Sequence, residues 1–155
     1  MTLYLLALLL GVVAGLRAML VPAVVSLAAY LGWLDLSETS LVALGRGVAV
    51  WFFGVLALLE LVTDQLPSTP SRTVPIQFVA RVASGALVGA AVALATTGSA
   101  FGGALAGAIG AVIGTIGGHA ARTRLAARFG RDRPAALLED VVAIAGALLL
   151  VMVAA

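Results

Sequence analysis

The sequence has no cysteine and only one histidine, and its nine basic residues are all arginine. Without cysteine there is no disulfide, no thiolate metal site and no cysteine nucleophile. One histidine cannot supply the paired axial ligands of a membrane cytochrome. Charged residues make up only 10% of 155 residues, and a soluble domain of that length needs more polar surface to cover itself. No HExxH, no serine elbow and no GxxxxGK[ST] loop occurs, so the motif-borne enzyme classes have no foothold. The expectation is a non-enzyme with no metal and no cofactor. The net charge of +2 is too small to suggest a nucleic-acid partner.

What is present is apolar sequence. Hydrophobic residues reach 63% and mean hydropathy is +1.18. Several runs are as long as a bilayer core is thick and far too long for strands. The fold class is therefore all-α and integral to the membrane. Five apolar segments stand out, at residues 3–34, 47–66, 82–94, 101–118 and 135–153. About five transmembrane helices follow, with the bilayer as the first partner.

The connections differ in charge. Residues 67–81 carry two arginines and no acid, and residues 119–134 carry five arginines and one aspartate. If every segment crosses once, these two connections share a side, which the positive-inside rule makes cytoplasmic. The same count puts the N-terminus on the cytoplasmic side and the C-terminus outside.

The first segment resists that count. Its 32 residues are too many for one straight crossing and too few for two, since each crossing takes roughly 20 residues. A break or re-entry is expected, with Gly15 weakening the helix and Pro22 unable to donate to the carbonyl of Ala18. Freed backbone must then be satisfied by protein or a wet cavity. Leu27-Ala28-Ala29 with Gly32 also matches Leu125-Ala126-Ala127 with Gly130. One reading is an inverted repeat of halves 1–66 and 101–155 joined by a helix at 78–97. The other is chance similarity in an Ala/Leu/Gly-rich chain.

The stretches "GLRAMLVPA", "LLELVTDQLP", "GGHAAR" and "LLEDVVAIAGALLLV" together carry a likeness over essentially the whole chain. The sequence resembles the uncharacterised bacterial inner-membrane family called domain of unknown function 4126. That resemblance implies a helical inner-membrane fold and no particular activity, so function rests on the residues.

Arg17 lies inside the first apolar segment. A guanidinium at mid-membrane costs about 3 kcal/mol on insertion scales, so it faces a bundle interior or an aqueous cavity. Its fork suits an anionic group, and Arg122 falls on the inward face of its stretch to share that role. Glu60 and Asp64 lie four apart on one helix face, a pairing suited to a proton or cation. Glu139 and Asp140 point about 100° apart, and Glu139 is the first choice of the two. His119 is a further candidate proton acceptor. Arg124, Arg128 and Arg131 share a face of a short amphipathic helix and suit lipid phosphates. Glycines four apart at 11 and 15, 85 and 89, and 103 and 107 let helices approach closely, within the protomer or in a homodimer.

These residues lead to a secondary transporter or channel-like permease for a small anionic or polar solute. Arg17, Arg122 and Glu60 would hold the solute. Glu60, Asp64, His119, Glu139 and Asp140 would couple a proton or ion. The alternative is a structural or assembly subunit whose charges are internal salt bridges.

Overall fold

The computed structural model describes residues 2–65 and 74–155. Leu66, at the end of the expected second segment, and most of the 67–81 connection, Arg72 included, lie outside the described residues. Every regular element described is helical. The order is α1 (Thr2–Leu16), α2 (Leu20–Tyr30), a 3₁₀ turn (Val42–Gly45), α3 (Gly47–Thr63), α4 (Pro75–Ala95), α5 (Ala100–Phe129) and α6 (Asp132–Ala154). Among the described residues, α4, α5 and α6 are long and apolar enough to cross a membrane. The other three are shorter apolar helices.

Glycine contacts fix the directions of the helices. The backbone of Gly85 lies against Gly107 and that of Gly89 against Gly103, so α4 and α5 run antiparallel. Gly110 meets the carbonyl of Leu8, Gly114 that of Val12, and Gly15 the backbone of Ala111 and Thr115. The numbers rise together, so α1 runs parallel to α5. A Cβ at any of these positions would strike backbone, so only glycine permits such close packing. These glycine faces are therefore occupied inside the chain.

The first segment is a hairpin. Its α1 strides toward the end of the molecule that holds Arg122 and Asp132. Residues 17–19 leave the helical path, and α2 turns back. The return is fixed by α3, whose last turn reaches Arg122 and whose first residue, Gly47, lies under the ring of Tyr30 at the end of α2. With Glu60 of α3 on the amides of Ala18 and Met19, α2 and α3 are antiparallel. Helix α1 is about 22 Å long and α2 about 16 Å. Neither needs the 20 residues that a full crossing takes, which resolves the awkward length of the segment.

Two expectations change here. The N-terminus does not share an end with the basic connections. The Tyr4 hydroxyl accepts from the Ser99 amide, and Gly98 lies against the side chain of Leu3, so the chain starts at the opposite, α4–α5 turn end. The single-crossing count fails because α1 enters and α2 leaves by the same end. Nor is residues 119–131 a separate amphipathic helix. Residues 119–129 are the last part of α5, which ends at Phe129 and is capped by Gly130, where a φ of 67° suits a residue without a Cβ. Arg124, Arg128 and Arg131 are exposed there.

At the opposite end, residues 31–46 fold over α2. Leu34, Leu36 and Leu44 tuck into the core. Asp35 accepts from the Ser37 hydroxyl at 2.6 Å and the Ser37 amide at 3.0 Å, which holds its carboxyl below the ordinary carboxylate range.

Candidate functional site

The hairpin tip is where backbone polarity is exposed in the interior, and charged side chains answer it from both sides. The last carbonyls of α1 lack helical donors. Arg81 of α4 supplies them, donating from Nη1 to Leu16 at 2.6 Å and to Gly15 at 3.2 Å. The Thr115 hydroxyl, which donates to Ala111 at 2.7 Å, lies 3.3 Å from the Gly15 carbonyl. On the other side of the break the amides of Ala18 and Met19 donate to the Glu60 carboxylate at 2.7 and 2.8 Å. A cation at the C-terminal end of α1 and an anion at the head of α2 both match the helix dipoles. Arg81 and Glu60 face each other at 3.7 Å.

Pro22 sits in the first turn of α2, and Gly15 in the last turn of α1. The two residues bracket the break rather than make it. Pro22 still matters, because it has no amide hydrogen for the carbonyl of Ala18. The buried Ser84 hydroxyl donates to that carbonyl instead. Ser84→Ala should then cost about 1–3 kcal/mol by stranding a buried acceptor, while Ser84→Thr should keep most of the stability. Thermal unfolding in detergent checks this, and equal melting of both variants would show that the hydroxyl does not serve the break.

Arg17 projects from the tip and is completely buried. Its Nη1 pairs with Asp64 of α3, and its Nη2 with Asp140 of α6. Its Nε has no hydrogen-bond partner among the described residues. The second carboxylate oxygen of Asp140 accepts from Gln65 at 2.9 Å. Arg122 closes the cluster from the basic end. It donates from Nε and Nη2 to Asp132 at 2.9 and 2.6 Å and from Nη2 to the Asp64 carbonyl at 3.1 Å. Its Nη1 lies 3.6 Å from Glu139 and 3.8 Å from Asp64. Exposure falls inward, from 60% for the Asp132 side chain to 15% for Arg122 and none for Arg17.

Arg17, Glu60, Asp64, Arg122, Glu139 and Asp140 therefore meet in one cluster. The order of the two α6 acids changes, since Asp140 and not Glu139 reaches Arg17, while Glu139 turns to Arg122. His119 is not brought in. Its side chain is exposed and makes no hydrogen bond or ion pair among the described residues. Arg81, Ser84, Gln65 and Asp132 belong to the cluster and were not expected as site residues. No group of three or more metal-ligating side chains occurs among the described residues.

The sequence profile described as Domain of unknown function (DUF4126) matches residues 4–154. The chain belongs to this family. The match takes in every residue of the DUF4126 charge cluster, from Arg17 to Asp140. Comparison with curated proteins and with solved structures gives no match.

Proposed function

We propose that this DUF4126 protein is a secondary carrier or channel-like permease for a small anionic or polar solute, with a proton as the coupling ion. The observation that carries the reading is Arg17, a buried guanidinium at a helix break with one donor still unpartnered among the described residues. Discontinuous helices whose ends meet charged groups are a common way to hold a solute within a membrane. In this conformation Asp64 and Asp140 occupy Arg17. An anion must take their place. Protonating either carboxylate removes its charge and weakens its hold on the guanidinium, so proton and anion bind together and the local charge stays balanced. Asp132 and Arg122 form the mouth at the basic end, which the positive-inside rule makes cytoplasmic in the bacterial inner membrane. Neither a homodimer nor an inverted repeat is needed for this scheme.

One observation favours a structural or assembly subunit as the second reading. Both terminal nitrogens of Arg17 already have carboxylates, as an internal tie between α1, α3 and α6 would require. A thermal-shift screen separates the two. Succinate, inorganic phosphate and chloride are added to the purified protein at mildly acidic and mildly alkaline pH. A carrier is stabilised by an anion, more strongly at acidic pH, because binding to the folded state raises stability. No stabilisation by any anion at either pH, with no anion-driven proton uptake into proteoliposomes, would sink the carrier reading and leave the structural one.

A further inference from the structure

Above the charge cluster the interior is apolar among the described residues, with one exception. Ser26 of α2 is completely buried, and its hydroxyl has no hydrogen-bond partner among the described residues. A buried hydroxyl is normally paired, and in a helix it can turn to the carbonyl four residues back. Here that carbonyl belongs to Pro22, and the bond is not made. An orphan hydroxyl in a dry core is destabilising unless something polar visits it.

Its position suggests what visits. At 100° per residue, Pro22, Ser26 and Ala29 fall within about 60° on one face of α2. Ser26 is about 12 Å along the helix axis from Ala18 at the break. Three residues further on, Ala29 lines a cleft of about 400 Å³ at the outer end of the hairpin. The same cleft is lined by Gly32, Asp35, Ser37 and Arg46. Asp35 and Arg46 form no ion pair with each other although they share its wall. Gly45, from the 3₁₀ turn, lies against Ala29 and narrows the way in.

We infer that the Pro22–Ser26–Ala29 face of α2 is the outer half of the solute path. The Ser26 hydroxyl is the binding point for a hydrogen-bonding group of a small polar solute between the Asp35–Arg46 cleft and Arg17. This rests on the carrier reading and adds to it the route from the outer end.

The absence of native cysteine makes the test direct, since each introduced thiol is the only one. Ser26→Cys, Ser37→Cys and Val88→Cys are placed singly in the full chain and reconstituted in vesicles of both orientations. The probe is the membrane-impermeant trimethylammonium-ethyl methanethiosulfonate. Ser37→Cys, on the cleft rim, identifies the cleft side. Val88→Cys, buried in α4, gives the rate of a closed core. The expected result is that Ser26→Cys is modified from the cleft side only, several-fold faster than Val88→Cys. A rate equal to that of Val88→Cys overturns the path. Modification at Ser26→Cys in a protein that no anion stabilises would keep the path and reject the carrier. Anion stabilisation with an unreactive Ser26→Cys would do the reverse.

Discussion

Arg17→Ala should destabilise the protein by about 3–5 kcal/mol, the usual cost of removing one partner from a buried ion pair. Asp64 and Asp140 both spend their attraction on this guanidinium, and both are close to buried. Without it they remain as two carboxylates in a poorly solvated site. Gln65 still serves Asp140, and Arg122 still lies 3.8 Å from Asp64, so the loss should fall toward the lower end of the range. Neutralising the whole group is a different experiment. Arg17→Met with Asp64→Asn and Asp140→Asn removes all three charges together and should melt close to wild type, because matched removal of buried charges is often nearly neutral. Thermal unfolding in detergent compares the single and triple variants. A single variant that melts like wild type would mean that Arg17 does not hold the carboxylates. A triple variant that melts as low as the single one would mean that the charges are required by something other than each other. The triple variant also serves function, since it should fold and yet gain nothing from any anion.

The anomaly at Arg17 was legible because a permanent charge in an apolar run has few explanations. Its partners were only half legible. Glu60 and Asp64 share a helix face, and that much follows from their spacing. Which of them meets the guanidinium does not. Glu60 is drawn to the bare amides at the head of α2, and Asp64, one turn later, takes Arg17. The choice between Glu139 and Asp140 is likewise decided by where the tip of α1 docks, a tertiary distance with no local signal. The hairpin itself was half visible. Its length excluded both one straight pass and two full crossings, which left a break or a re-entry, and the fold is a hairpin of two short arms.

Arg81 is not among the expected site residues for a local reason. In the sequence the third apolar segment begins at residue 82, which leaves Arg81 in a basic connection. The helix begins at Pro75. Proline at a first helical position was the available cue, and it places Arg81 well inside α4, facing the end of α1. Ser84 follows on the same helix, one turn on, and serves the carbonyl that Pro22 leaves without a donor. The chemistry of the break was thus written in α4 as much as in the first segment, but only the fold brings the two together.

Gly107→Val should be the most damaging single substitution, costing upward of about 3 kcal/mol by overpacking a core that cannot yield. Gly107 is where three helices meet. A Cβ there would strike the carbonyl of Gly85, and the backbone of Gly107 is in turn what a side chain at Gly11 or Gly85 would hit. Because the obstacle is backbone, no rotamer change relieves it, and α4 must move away from α5. The matched control is Gly117→Ala on the same helix. Nothing lies within 4 Å of a Cβ at Gly117, so this change should cost nothing and gain up to about 1 kcal/mol of helix propensity. Yield of monodisperse protein and its melting temperature compare the two, and equal stability would contradict the three-helix contact. The consequence reaches the charges. The register of α1 against α5, held by Gly11, Gly15 and their partners, sets how deep the tip lies. Asp64 and Asp140 come from α3 and α6 and cannot follow a displaced tip. Gly11→Ala, whose Cβ would strike the backbone of Gly107 and push α1 off α5, should therefore loosen the grip on Arg17 without removing any charge, and lower the anion-induced stabilisation more than it lowers the melting temperature.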